Sequence, residues 1–197
     1  MRSLCALFLL LGLSVLASGQ SAVLLQWPKA LSAERRVVLG RSMAFLKESP
    51  AVPYRLGRAD AMGMDCSGAI VFMLKFADIV PPRSAHGQYE WLKQNKRLIM
   101  VPQTARTLDD PVFRTLLPGD LVFWAQTGPD TLKKRRVSHV HMYLGLEKDG
   151  HPVMIGASDG RRYHGDAVHG FGIVDARVSN VGSATRIEAF GSPFPMR

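Results

Sequence analysis

The segment at residues 65–79, DCSGAIVFMLKFADI, constrains the fold more than any other part of the chain. From Ala69 to Ala77 it is apolar on nearly every side, with only Lys75 interrupting. At this length the pattern predicts a helix buried on most of its surface, although periodicity alone would also fit a buried strand. Such a helix needs a core around it, and 197 residues supply one domain of ordinary size. A hydrophobic content of 47% excludes a largely disordered chain.

Shorter patterns predict helices first and strands afterwards. Ser32 can cap a helix over 32–48, and a second, shorter helix is predicted over 88–95. β-prone runs bounded by Gly, Pro and Asp then follow at 120–125, 139–144 and 153–157, and 171–186 can add one or two more strands. Helices followed by strands indicate an α+β fold rather than alternating βαβ units.

Residues 1–19 have the three-part pattern of a secretory signal peptide. Met1-Arg2 precedes an apolar run of 14 residues at 4–17, and small residues follow it, so cleavage is predicted after Ala17 or Gly19. The run is shorter than the roughly 20 residues that span a bilayer. Cys5 lies inside the run and not at the cleavage point, which argues against a lipoprotein. We expect a periplasmic or secreted protein with no stable membrane insertion once the signal is removed.

Removal of the signal lowers the net charge from +9 to +8 and leaves Cys66 as the only cysteine. A lone thiol in an exported protein either packs as an apolar residue or acts as a nucleophile, because it cannot form an intramolecular disulfide. Its place at a predicted helix start, in DCSG, favours the nucleophile, since the unpaired backbone N–H groups there stabilise a thiolate. The sequence therefore predicts a thiol pKa below the free value of about 8.5.

A cysteine nucleophile needs a base within hydrogen-bond reach, usually histidine. His139 and His141 open a predicted strand, and the two-residue period places both on one face. Spacing alone selects no base among the six histidines, which are His86, His139, His141, His151, His164 and His169. They show neither HExxH nor any other tight metal-ligand spacing, so we expect no metal and no cofactor.

Five blocks occur in order within residues 54–158: MDCSGAI, PPRSAHGQY, LLPGDLVFW, SHVHMYLG and VMIGAS. Together they resemble the NlpC family of cell-wall cysteine peptidases. The resemblance implies a papain-like fold, in which the helix carrying the nucleophile packs on an antiparallel sheet. It implies Cys66 as nucleophile, His139 as general base and Tyr54 as a residue lining the site. Ser67 is small enough to let substrate approach, and we assign it with Tyr54 to substrate binding.

The other matched residues, Asp65, Arg83, Ser84 and Gln88, are interpreted as structural. One position departs from the family, which usually carries a third polar residue, often histidine, on the next strand to orient the base. In MIGAS this position is Gly156, which has no side chain. Ser158, two residues further on, is the replacement that we prefer, and the alternatives are Asp159, His141, His151 and His164. His141 itself is either part of the site or a solvent-facing strand residue.

We therefore predict an exported cysteine peptidase that hydrolyses peptidoglycan stem peptides through a thioester. The resemblance suggests the D-γ-glutamyl-diamino acid endopeptidase type. Two alternatives stay open: an amidase or acyltransferase acting on another acyl substrate, and a catalytically weak murein-binding protein.

The basic balance suits a polymer rich in carboxylates, and no nucleic-acid fold signature accompanies it. The KKRR run at 133–136 either attracts an anionic substrate or is a solvated loop. We expect residues 20–49 to form a helix and linker, residues 50–197 to form the NlpC-type catalytic domain, and the protein to work as a monomer.

Overall fold

The computed structural model describes residues 25–127, 137–178 and 183–195. The predicted signal peptide and the KKRR run lie outside these residues. The elements in chain order are β1 (Leu25–Gln26), α1 (Ala33–Glu48), β2 (Ala59–Asp60), β3 (Gly63–Met64), α2 (Cys66–Leu74), α3 (Ala85–Gln94), β4 (Leu98–Met100), β5 (Leu121–Gln126), β6 (Val137–Glu147), β7 (Pro152–Tyr163), β8 (Asp166–Asp175) and β9 (Thr185–Gly191). Short 3-10 helices occupy Lys75–Ala77 and Pro111–Thr115.

The strands form one main antiparallel sheet in the order β4-β9-β5-β6-β7-β8, and β1 pairs with the end of β6. The short strands β2 and β3 make a separate hairpin just before α2. The three described α-helices precede the strands β4–β9 that make up most of the antiparallel sheet, which confirms the predicted α+β class. In the described part of the chain, no helix is both long enough and apolar enough to cross a bilayer.

Helix α1 is tied to the sheet by a buried arginine. Ser32 caps the helix by accepting a hydrogen bond from the backbone N–H of Arg35. The Arg35 guanidinium donates to the Pro118 carbonyl and to the Asp120 carboxylate, each at 2.7 Å. Losing either member of this buried pair would leave an uncompensated charge, so the contact fixes α1 against the start of β5.

The central strand β6 presents two different faces. Val140, Met142 and Leu144 belong to the hydrophobic core that contains residues of α1 and α2. On the other face, Tyr143 belongs to a second core cluster with Trp124 of β5. Because side chains alternate along a strand, His139 and His141 lie on the Trp124 face, and both rings contact that indole. The predicted sharing of one face by the two histidines is confirmed.

Several element boundaries differ from the sequence prediction. Helix α3 begins at Ala85 and not at residue 88, because the Ser84 hydroxyl accepts from the Gly87 N–H and caps the helix earlier. Strand β7 continues to Tyr163, six residues beyond the predicted run, because it pairs along its length with β8. The segment after 170 contributes half of β8 and all of β9.

Candidate functional site

The amino end of α2 is built around the Asp65 carboxylate. One oxygen accepts the Gly68 N–H at 2.7 Å, which caps the helix, and the other accepts the Gly57 N–H at 2.7 Å. Arg83 donates to both oxygens, at 2.9 and 2.8 Å. Burial alone would raise the pKa of Asp65, but these hydrogen bonds and the Arg83 charge lower it overall. Asp65 is thus a fully engaged anion whose hydrogen bonds fix the helix start.

Glycine is required three residues after Asp65. A Cβ built on Gly68 would lie 2.0 Å from the carbonyl oxygen of Arg58, which no side chain can satisfy without moving the backbone. The same carbonyl accepts a hydrogen bond from Arg83 at 2.8 Å. The D-C-S-G block therefore allows the β2–β3 hairpin to approach the first turn of α2 closely.

Cys66 is the first residue of α2 and is only 7% exposed. Burial raises the pKa of the Cys66 thiol, and the nearby Asp65 charge adds to this, while the backbone N–H of Val140 on β6 favours the thiolate. The prediction of a lowered thiol pKa is therefore wrong for this structure. The helix start does favour the thiolate locally, but the cost of removing a charge from water is larger.

A cleft of about 400 Å³ opens at Cys66. Tyr54 and Ser67, the two predicted substrate-binding residues, both line it. Burial and the neighbouring Cys66 and Asp65 raise the pKa of Tyr54, whose hydroxyl is near the backbone N–H of Cys66. The Ser67 hydroxyl donates to Asp65 at 3.1 Å and accepts from Arg83 at 2.9 Å. The Ser67 hydroxyl therefore makes its hydrogen bonds to residues of the protein itself.

The His139 ring makes its hydrogen bond to an arginine that the sequence analysis did not identify. Nε of Arg161 donates to Nε2 of His139 at 3.1 Å, and the guanidinium lies 4.1 Å from the centre of the Trp124 ring. Burial and the Arg161 charge together lower the pKa of His139 to about 3. Burial lowers the pKa of Arg161 to about 10, so this side chain is still a cation at neutral pH. Arg161 lies in β7, and nothing in the sequence around it indicates a contact with His139.

His141 occupies the space that Gly156 leaves empty. Gly156 lies opposite His141, because Met142 and Ile155 are paired in the β6–β7 register. A Cβ on Gly156 would lie 2.7 Å from Cδ2 of His141. The His141 ring is fully buried, and its centre is 4.5 Å from that of His139. The alternative of a solvent-facing His141 is therefore wrong, and a side chain at position 156 would require the His141 ring to move.

Among the described residues, none of the other candidates for a third residue makes a hydrogen bond to the His139 ring. Ser158 is buried, and within the described residues its hydroxyl has no hydrogen-bond partner. Asp159 accepts from the exposed His169 at 2.7 Å. His151 and His164 meet at the end of β6 that is opposite to His139, where one donor atom of each lies within 4.8 Å of a Glu147 oxygen.

Comparison with known proteins gives one family match and several similar folds. The family model described as NlpC/P60 matches residues 51–170. An NlpC/P60 family protein from Bacillus cereus superposes with a TM-score of 0.50 and 22% identity, over 82% of this chain and 40% of that one. NlpC1 from Trichomonas vaginalis gives 0.49 and 20%, over 87% and 48%. No curated protein sequence matches the chain significantly.

This chain thus spans less than half the length of either solved structure. The likeness to the Bacillus cereus protein concerns the fold, and it confirms the predicted papain-like arrangement, here with the helix that begins at Cys66 packed on an antiparallel sheet.

Proposed function

The chain belongs to the NlpC/P60 family, and from this membership we propose that it is an exported cysteine peptidase cleaving peptidoglycan stem peptides at Cys66. Membership supports a cell-wall peptidase, and the finer assignment is the bond between D-γ-glutamate and a diamino acid. The observation that carries the proposal is a single thiol at the amino end of a buried helix, facing a 400 Å³ cleft and adjacent to the strand that carries His139.

The reaction proceeds in two halves. Cys66 transfers its proton to His139 and attacks the amide carbonyl, and the His139 imidazolium then protonates the leaving amine. Water attacks the resulting thioester and gives a proton to His139, which returns it to the Cys66 sulfur as the acid product leaves. We assign stabilisation of the developing oxyanion to the backbone N–H groups at the start of α2 and to the Tyr54 hydroxyl, which lies near the Cys66 N–H.

Burial and Arg161 together set the resting protonation of this site. Because Nε2 of His139 accepts from Arg161, the neutral imidazole carries its hydrogen on Nδ1. With a raised Cys66 pKa and a His139 pKa of about 3, the pair rests as thiol and neutral imidazole, and not as thiolate and imidazolium. We propose that a carboxylate of the stem peptide draws Arg161 away, and that the freed Nε2 then accepts the thiol proton.

Two residues compete for the third position. We assign ring positioning to His141, because its imidazole packs on His139 in the volume that Gly156 leaves open. Ser158, the residue preferred from the sequence, is the second candidate, since its buried hydroxyl has no partner among the described residues. Substituting each with alanine separates them: loss of the positioning residue lowers kcat, while loss of the other leaves kcat unchanged.

A murein-binding protein without turnover is the second candidate function. The contact that favours it is the same Arg161–His139 hydrogen bond, because a histidine whose Nε2 stays bound to Arg161 cannot accept the thiol proton there. In that case Arg161 and the cleft would hold an acidic peptide without cleaving it.

The decisive experiment is a digest of purified stem peptides and of intact peptidoglycan by the chain without residues 1–19, read by mass spectrometry. We expect one new cut that disappears in Cys66→Ala and persists in His169→Ala, a surface control that removes only an exposed contact to Asp159. Absence of product from a folded wild-type protein, with equal sedimentation of wild type and Cys66→Ala on peptidoglycan, would replace the peptidase with the binding protein.

A further inference from the structure

The tip of the β7–β8 hairpin folds back onto the end of β6. Val153 pairs with Asp175 and Tyr163 with Asp166, so an unbent hairpin would hold His164 roughly 30 Å from Asp175. Instead the His164 N–H donates to Asp175 at 2.9 Å. The bend coincides with two glycines at positive φ, Gly160 at 87° and Gly170 at 106°, one in each strand.

The returning tip brings two imidazoles against two carboxylates. Nε2 of His164 lies 2.8 Å from Glu147, and Nε2 of His151 lies 2.9 Å from Asp175. The two rings are 4.5 Å apart between centres. Both carboxylates have little exposure, at 9% for Glu147 and 5% for Asp175, while the imidazoles face partly to solvent. The four groups come from four different points of the chain: the end of β6, the turn before β7, the hairpin tip and the end of β8.

Neighbouring contacts hold these side chains in place. The Tyr163 hydroxyl donates to the second oxygen of Glu147 at 2.6 Å. His164 has a positive φ of 48°, a left-handed conformation that is uncommon for a residue with a side chain. Metal ligands in proteins are commonly held by hydrogen bonds from surrounding residues, because these bonds set the orientation of each ligand.

We propose that Glu147, His151 and His164 form a binding site for a divalent zinc ion that fastens the hairpin tip to the end of β6. One donor atom from each lies within 4.8 Å of the other two. Zinc bonds of about 2.0–2.2 Å require neighbouring donors a little over 3 Å apart, which small side-chain rotations provide. Two imidazoles and one carboxylate suit zinc, whereas calcium and magnesium prefer oxygen ligands alone.

Asp175 acts as a support in this site and not as a ligand. It holds the His151 ring through the 2.9 Å hydrogen bond, in the carboxylate–histidine arrangement that fixes the orientation of metal-bound imidazoles. Three protein ligands leave the fourth position to water. The ion would fix the same hairpin that carries Arg161 to His139, but its binding does not depend on the proposed peptidase activity.

The test is zinc titration by calorimetry on the untagged, chelator-stripped chain without residues 1–19, in a Cys66→Ala background that removes the catalytic thiol as a competing ligand. We expect one equivalent of zinc to bind with micromolar or tighter affinity. His164→Asn should weaken binding at least tenfold while keeping the backbone, because asparagine tolerates a positive φ. Tyr163→Phe, which removes a supporting hydrogen bond, should weaken it by about tenfold.

His169→Ala is the matched control, because His169 also pairs with a carboxylate, that of Asp159, but lies outside the cluster. It should leave the zinc affinity unchanged. As a second readout, zinc should slow amide hydrogen exchange at residues 160–170 in the control and not in His164→Asn. Zinc binding that is absent, or that His164→Asn leaves intact, overturns the proposal and leaves a hydrogen-bonded clasp without metal.

Discussion

Two pairs of histidines lie on strands β6 and β7 or in the adjoining turns, each with ring centres 4.5 Å apart, and their surroundings are opposite. His139 and His141 are packed beneath Trp124 and face the Arg161 cation. His151 and His164 face Glu147 and Asp175 and are partly open to solvent. Two pairs of histidines with the same ring separation therefore have different chemical properties, because their neighbouring residues differ.

The physical difference between the pairs lies in charge and water. Burial and a cation both disfavour a second proton on an imidazole, so the His139–His141 pair stays neutral and His139 keeps a lone pair for use as a base. Carboxylates beside imidazoles add negative charge and oxygen ligands, which favour a bound metal ion. The first pair therefore suits proton transfer in a closed site, and the second suits holding an ion at the surface.

The largest expected effect is on peptide cleavage, which should depend on the site around Cys66 and His139 and not on the His151–His164 pair. Cys66→Ala should lower peptide cleavage by at least about 1,000-fold, because no other group can form the thioester. His164→Asn should change the cleavage rate less than about twofold at saturating substrate. Steady-state kinetics followed by mass spectrometry measure both. Equal losses in the two variants would mean that the hairpin clasp belongs to the catalytic site.

Acid should destabilise the protein through the first pair. His139 has a folded pKa of about 3, below its unfolded value of 6.5. Its contribution is therefore fully present above pH 6.5 and is lost as the pH falls towards 3, because the unfolded chain binds the proton first. Between pH 6.5 and 5 the loss should be about 2 kcal/mol. Urea unfolding at both pH values measures it, and His139→Gln should reduce the difference; an unchanged difference would place the acid sensitivity elsewhere.

The exclusion between His141 and position 156 can be tested by exchange. Gly156→Ala should cost about 1–3 kcal/mol of unfolding free energy, because its Cβ would meet the His141 ring at 2.7 Å. Combining it with His141→Gly should recover most of that loss. Moving the imidazole, as Gly156→His with His141→Gly, should retain cleavage if ring packing on His139 is what matters. Additive losses in this cycle would show that the two positions do not compete for one volume.

The smallest expected change comes from Arg161→Gln. Removing the cation should raise the His139 pKa above about 3, so the acid limb of the rate profile should move to higher pH. At pH 7.5 kcat should stay within about fivefold of wild type, and KM for carboxylate-bearing peptides should rise as a binding contact is lost. Lys148→Gln, a change of charge on the surface, serves as the control. An acid limb that stays in place would remove Arg161 from the control of His139.

The sequence predicted the central features of the fold and the nucleophile from local signals. The apolar run after Cys66, the cap at Ser32 and the β-prone runs after residue 118 each depend on neighbours in the chain, and each became the expected helix or strand. The order of the five blocks likewise predicted the family. The sequence could not predict the contact between Arg161 and His139. That contact depends on the bent β7–β8 hairpin and on the pairing of two strands.

Chain order and residue pattern thus determined the α+β class, the buried helix, the position of Cys66 at its start and the shared face of His139 and His141. Tertiary structure alone decided that the pKa of Cys66 is raised. It also decided that the His141 ring fills the space beside Gly156, and that His151 lies next to His164. A helix start acts on its first residue directly, so the sequence is enough to locate it. Desolvation and cross-strand contacts sum over groups far apart in the chain, and only the folded structure brings them together.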